Sequence, residues 1–174
     1  MSRPNIILTG FMATGKTVTG KMLADRLGYE FVDTDDLIVK RSGMSIPEIF
    51  DKKGEAAFRG MERELAQELG DREGVVVSTG GGLMLDPVNV AALSRRGRIF
   101  CLVATPEEIF DRVSNDKQAN RPLLNVEDPM HHIMEMLEQR AEGYGRFQQI
   151  ITSGKSPEEV TLHLLDIFQT EPDT

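Results

Sequence analysis

An α/β fold built on a five-stranded parallel sheet flanked by helices is what this sequence predicts, and three observations lead to it. Short apolar runs rich in β-branched and aromatic residues recur at 5–9, 30–33, 75–78, 98–103 and 148–152, each too short for a buried helix. Between them, apolar residues fall at helical spacing over 15–28, 46–70, 87–95, 106–114, 129–146 and 157–168. The punctuation agrees with both periods. Pro87, Pro106, Pro129 and Pro157 suit first helical turns, and Gly28, Gly70 and Gly97 stand just past helical stretches, where a residue with φ > 0 is expected. Strands alternating with helices pack as a parallel sheet covered on both faces.

The first strand, Asn-Ile-Ile-Leu-Thr, runs directly into Gly10-Phe11-Met12-Ala13-Thr14-Gly15-Lys16-Thr17, which matches G-x-x-x-x-G-K-[ST] with a strand before it and a helix after it. Consecutive backbone N–H groups there must turn inward around phosphate oxygens, which requires glycine where a Cβ would collide or φ is positive. The helix start adds its positive end. The nucleotide site is therefore expected to use Gly10, Ala13, Thr14, Gly15, Lys16, Thr17 and Val18, with Lys16 on the β- and γ-phosphates of ATP and Thr17 on Mg²⁺. The fold class narrows to a three-layer P-loop NTPase.

The second strand ends in Val32-Asp33-Thr34-Asp35-Asp36. Carboxyl ends of parallel strands share one rim, so these acids should face the phosphate loop, and residues two apart in an extended segment point to the same side. One acid can serve the metal and the other orient an acceptor hydroxyl. The alternative is that Asp33 or Asp35 merely caps a helix over 37–40. The third strand ends in Ser78-Thr79-Gly80-Gly81-Gly82, a glycine run that lets a ligand lie on the backbone, or else a plain flexible turn. It carries no Walker B aspartate, so Asp33 is the candidate for the metal.

The fourth strand holds the lone cysteine, Cys101, which suits a small buried hydrophobe and excludes an intrachain disulfide. After the next helix, the polar stretch 115–125 with one proline reads as a mobile lid. The chain closes with a fifth strand, a last helix and a frayed tail over 170–174.

The 174 residues, 40% hydrophobic and 28% charged, suit one globular domain over 1–174. Lys plus Arg number 20 against 28 Asp plus Glu, a net charge of −8, which argues against nucleic acid or an anionic membrane as partner. No signal peptide or spanning segment is legible, and a cytoplasmic monomer is expected. Anionic ligands must then be held by local cations. Arg59 has Glu62 on the same helix face to fix its fork, Arg121 sits on the lid, and Arg140 has a position from which to line an acceptor cleft. As surface groups, Arg59 and Arg140 would also be unremarkable. The three histidines form no metal-ligand pattern.

Taken in order along the chain, these motifs resemble shikimate kinase, a nucleoside-monophosphate-kinase-like family of P-loop kinases. Beyond the phosphate loop, Asp33 and Asp35 match its D-x-D, and Phe58, Arg59 and Glu62 its F-R-x-x-E. Thr79–Gly82 match T-G-G-G, residues 121–124 the lid R-P-L-L, and Arg140 with Tyr144 its R-x-x-x-Y. The resemblance implies transfer of the ATP γ-phosphoryl group to the 3-hydroxyl of shikimate, on the route to chorismate and the aromatic amino acids. It also implies that Asp35, Arg59, Arg140 and the Gly80–Gly82 backbone hold shikimate in a helical region over 35–62 and beyond. By the same resemblance Lys16, Asp35 and Arg121 are the catalytic set, Thr17 and Asp33 serve Mg²⁺, and Arg112 and Pro157 sandwich adenine. Three positions depart from the family's common pattern: Ala13 for glycine, Thr17 for serine, and Glu142-Gly143 for proline and an apolar residue. A gluconate or nucleoside-monophosphate kinase on the same scaffold, or a non-catalytic ATP switch, are the rival readings. The pairing of Asp35 with Arg59 favours a hydroxy-acid acceptor.

Overall fold

The computed structural model describes residues 3–116 and 125–170. Five strands, β1 (Asn5–Thr9), β2 (Glu30–Asp33), β3 (Val75–Ser78), β4 (Gly97–Val103) and β5 (Gln148–Ile151), form one all-parallel sheet in the order β2-β3-β1-β4-β5. The helices are α1 (Lys16–Leu27), α2 (Thr34–Ser42), α3 (Ile46–Lys53), α4 (Glu55–Gly70), α5 (Pro87–Ser94), α6 (Pro106–Asn115), α7 (Pro129–Tyr144) and α8 (Pro157–Thr170). A short 3₁₀ turn covers Leu83–Leu85.

Alternation along β1 sorts the core into layers. Ile6 and Leu8 pack with Leu23 of α1 and Val160 and Leu164 of α8 on one face, while Ile7 packs with Leu65 and Leu69 of α4 and Leu93 of α5 on the other. A third cluster joins Phe11 and Cys101 to Ile109 of α6 and to Ile133 and Tyr144 of α7. Buried on both faces, the central strand β1 reads as an apolar run rather than an alternating pattern. Because β1 is followed by β2 on one side and β4 lies on its other side, the topological switch falls beside β1. Crevices open there at the carboxyl ends of the strands.

Several expectations need correction. The apolar period over 46–70 is two helices, because Gly54 between them adopts φ 84°, ψ 165°, a conformation closed to other residues, and turns the chain. Ser45 and Glu48 form a capping box at the start of α3. Gly28 does end α1 in the left-handed region (φ 63°), but Gly70 and Gly97 have no positive φ. Gly70 closes α4 where a Cβ would collide with the Ala92 carbonyl of α5, and at Gly97 it would lie 2.9 Å from the Leu93 carbonyl. These two glycines serve close packing rather than chain reversal. Thr170 belongs to α8 and Asn115 to α6. Most of the expected lid, residues 117–124 with Arg121, and the tail beyond 170 lie outside the described residues.

Candidate active site

The phosphate loop owes its shape to Gly10 (φ 131°), whose Cβ would strike the Leu102 carbonyl of β4, and to Gly15 (φ 97°) at the start of α1. Between them Ala13 holds φ 59°, the one non-glycine positive φ among the described residues, at a position where an L side chain costs roughly 1–2 kcal/mol. Lys16 folds back over the loop, its Nζ donating to the carbonyls of Gly10 (2.8 Å) and Phe11 (2.7 Å). Burial pulls its pKa down to about 8, against the opposing pull of Asp35 and Asp33. A cation held that way gains charge stability when phosphate oxygens replace the carbonyls.

Asp33 performs two tasks at once. Its Oδ1 accepts from the backbone N–H groups of Asp35 (3.0 Å) and Asp36 (3.2 Å), capping α2, while Oδ2 accepts from the Thr17 hydroxyl at 3.2 Å. The capping alternative and the metal-side placement therefore coexist in one side chain. Among the described residues no group of three or more His, Cys, Asp or Glu residues could hold a metal. One carboxylate and one hydroxyl meeting beside a phosphate loop is the donor set that suits Mg²⁺, which keeps most of its waters and binds substrate phosphates.

Asp35 is not in the extended segment that the two-residue spacing assumed: α2 begins at Thr34, before the expected 37–40, and places Asp35 half-buried in its first turn. Burial, reinforced by Asp33 and Glu62, pushes its carboxyl up to about 6, although Lys16 pulls the other way. Its Oδ1 is buried and has no partner among the described residues. This oxygen faces Gly80, where an added Cβ would lie 2.5 Å away. The neighbouring Thr34 hydroxyl accepts from the Gly80 N–H at 2.9 Å and so ties the glycine run to α2, a contact the D-T-D spacing contains but composition does not announce.

The glycine run is more specific than a flexible turn. A Cβ on Gly81 would lie 2.9 Å from Arg140 Nη1, and one on Gly82 would lie 2.8 Å from Arg59 Nη1. Each glycine thus leaves room for one functional side chain. Arg59, on α4, donates to Glu62 at 2.6 Å and to Glu55 at 3.4 Å. Glu62 is buried, and its carboxyl is pushed up by that burial against the pull of Arg59. Arg140, on α7, lies 3.4 Å from the Tyr144 hydroxyl, which donates to the Gly81 carbonyl at 2.6 Å. Gly143 permits this approach of α7, since a Cβ there would meet Leu85 Cδ2 at 2.5 Å.

Two cavities meet at Ala13. One, of about 410 Å³, is lined by Thr14, Gly15, the exposed Val18, Arg112 and Pro157 among others, so the expected adenine partners share one wall system. Arg112 is fixed there by donating to the Ala13 carbonyl (2.9 Å) and pairing with Glu108. The other, of about 340 Å³, is bounded by Lys16, Thr17, Asp33, Asp35, Gly80–Gly82 and Arg140. Of the expected acceptor residues, Asp35, Gly80–Gly82 and Arg140 line this cavity and Arg59 lies beside it against Gly82, while Arg121 of the expected lid lies outside the described residues. A 260 Å³ cavity between α2, α3 and α4, near Ile38 and Met61, lies apart from this chemistry.

A phosphate loop between a nucleotide-sized cavity and a second cavity lined by acids and Arg140, with Arg59 beside it at Gly82, defines a P-loop phosphotransferase for a small acceptor. Comparison with known proteins narrows this further. The shikimate kinase family model matches residues 12–169. Shikimate kinases from Thermodesulfovibrio yellowstonii (43% identical, covering 95% of both chains) and Caldanaerobacter subterraneus subsp. tengcongensis (46% identical, 94% of this chain and 95% of the relative) align over nearly the full length. The shikimate kinase of Acinetobacter baumannii, solved in complex with shikimate, superposes with a TM-score of 0.88 at 35% identity over 99% of this chain and 96% of that one. This chain belongs to the shikimate kinase family.

Proposed function

We propose that this protein transfers the γ-phosphoryl group of ATP to the 3-hydroxyl of shikimate, giving shikimate 3-phosphate and ADP for aromatic amino-acid biosynthesis. The observation that carries the reading is the buried, unpartnered Asp35 Oδ1, set between Lys16 and the arginines that share the glycine run. Arg59 and Arg140 take the acceptor carboxylate, and Asp35 accepts a hydrogen bond from the hydroxyl that attacks. As the hydroxyl oxygen bonds to the γ-phosphorus, the bond from that phosphorus to the β,γ-bridging oxygen breaks, and ADP leaves. The hydroxyl proton passes to Asp35 or to the new phosphate. Lys16 follows the charge on the transferred group, and Arg121 is expected to join it from the lid. Mg²⁺, near Thr17 and Asp33, would neutralise phosphate charge. Arg112 and Pro157 hold the base.

A single kinase domain over residues 1–174, working as a cytoplasmic monomer on small molecules with no nucleic acid or membrane partner, completes the reading. No helix among the described residues is long and apolar enough to cross a membrane. The test is ADP release across shikimate, gluconate and nucleoside monophosphates. Turnover with shikimate alone is expected, and preferential turnover of gluconate or a nucleotide would overturn the acceptor assignment.

Two variants separate the roles. Arg59→Lys keeps the charge but loses the two-pronged fork, so the KM for shikimate should rise about tenfold or more while that for ATP stays level. Asp33→Asn keeps a good cap for α2, because Asn caps as well as Asp. It should therefore leave thermal stability nearly unchanged and shift the Mg²⁺ titration of activity to higher concentration. An unshifted titration would remove Asp33 from the metal.

A further inference from the structure

Phe11 lies inside the phosphate loop, yet the geometry points to it as a positioning residue for the acceptor, an inference that rests on the function proposed above. Its side chain is 1% exposed and packs into the cluster with α6 and α7, away from the nucleotide cavity, whose lining does not include it. The Arg140 guanidinium sits over this ring, 5.4 Å from its centroid. Among the described residues no carboxylate pairs with Arg140. What orients its guanidinium is the Phe11 ring and the Tyr144 hydroxyl. Arg59 differs, being held by Glu62 and Glu55. An arginine aimed by a ring face and a phenol keeps its full charge for the ligand, since neither partner neutralises it.

The two halves of Phe11 serve different substrates. Its carbonyl accepts from Lys16 Nζ (2.7 Å) and from the Thr14 hydroxyl (2.8 Å), the phosphate-loop groups that would meet ATP. Its ring carries the arginine of the acceptor side. A side-chain substitution changes the ring and leaves the carbonyl in place, so the consequence runs against position in the chain. Altering this phosphate-loop residue should impair the acceptor and spare ATP.

The experiment compares Phe11→Leu, Phe11→Met and Phe11→Tyr by both KM values, kcat, shikimate titration calorimetry and melting temperature, with Arg140→Met as a second site. Leu and Met keep an apolar filling without a π face. Either should raise the KM and Kd for shikimate about three- to tenfold, with the KM for ATP within twofold. Tyr, which retains the face but must place a hydroxyl inside that packed cluster, should melt lower yet keep the KM for shikimate within twofold of the unsubstituted protein. In the Arg140→Met background, Phe11→Leu should add no further loss, because its effect runs through the arginine. A rise in the ATP KM equal to that for shikimate, an unchanged shikimate KM, or an additive loss in the double variant would each overturn the inference and leave the proposed function standing. Failure of the unsubstituted protein to bind shikimate would overturn the function, and with it the inference.

Discussion

Lys16→Ala should lower turnover by at least about 10²–10³-fold, the scale of removing one fixed charge-stabilising donor from a transition state. It should melt within a few degrees of the unsubstituted protein. The stability expectation follows from what the side chain does without nucleotide. It is a guest on the carbonyls of Gly10 and Phe11, and the loop is shaped independently by Gly10 and Gly15, with Thr14 still donating to the Phe11 carbonyl. The turnover expectation follows from its charge. With its pKa pulled down to about 8 by burial, the lysine of the free protein loses its proton as pH rises past 8, and phosphate binding must draw that proton back. ATP affinity should therefore weaken above pH 8, with proton uptake visible as a buffer-dependent binding enthalpy. Near-normal turnover of the alanine variant would remove the phosphate loop from the mechanism.

Asp35→Asn carries the second large effect, a loss of about 10²–10⁴ in kcat, the usual contribution of a positioned base. Extra Mg²⁺ should not restore it, in contrast to Asp33→Asn. The same substitution should raise stability near pH 8. A carboxyl whose folded pKa, about 6, lies above its ordinary 3.8 holds its proton more tightly folded than unfolded. Its ionisation thus costs stability, fully above about pH 6 and not at all below about 4. The rise from 3.8 to about 6 bounds that cost at about 3 kcal/mol, and partial exposure reduces it, so the asparagine variant should gain roughly 3–10 °C at pH 8. The gain should vanish on acidification to about pH 4. In the unsubstituted enzyme, kcat/KM should fall on the acid side near pH 6. An asparagine variant less stable at high pH than at low pH, relative to the parent, would show that the carboxylate is not under burial strain.

Much of this was legible in the residues. The five strands sit within a residue of their apolar runs; β1 and β3, buried throughout, are the plainest, while the edge strands β2 and β5 are only partly buried and carry shorter apolar stretches. The phosphate loop was equally plain, since its chemistry is backbone geometry and glycine records it. Where the reading failed, the missing information was in three dimensions. The apolar period runs unbroken across Gly54, since α3 and α4 both face one core, and only the φ of that residue shows the break. Gly70 and Gly97 depart from expectation because a glycine needed for close approach and one needed for a left-handed turn look identical in one dimension. Asp33 showed two possible duties, and the spacing had no way to show that separate oxygens perform both. Thr34 and the ring of Phe11 carry no signal in the sequence because their partners, Gly80 and Arg140, are distant in the chain.

The run Gly80-Gly81-Gly82 has a bearing on how this enzyme can vary. Its three members each leave space for a different charged group, Asp35, Arg140 and Arg59 in turn. A single added methyl at any of them displaces one polar partner and no other, so these uncharged atoms should prove as intolerant of substitution as the charges they make room for. Saturation mutagenesis read by growth without aromatic amino acids would then show three adjacent empty columns. Drift at the acceptor end of this protein is restrained by the absence of side chains as much as by their presence.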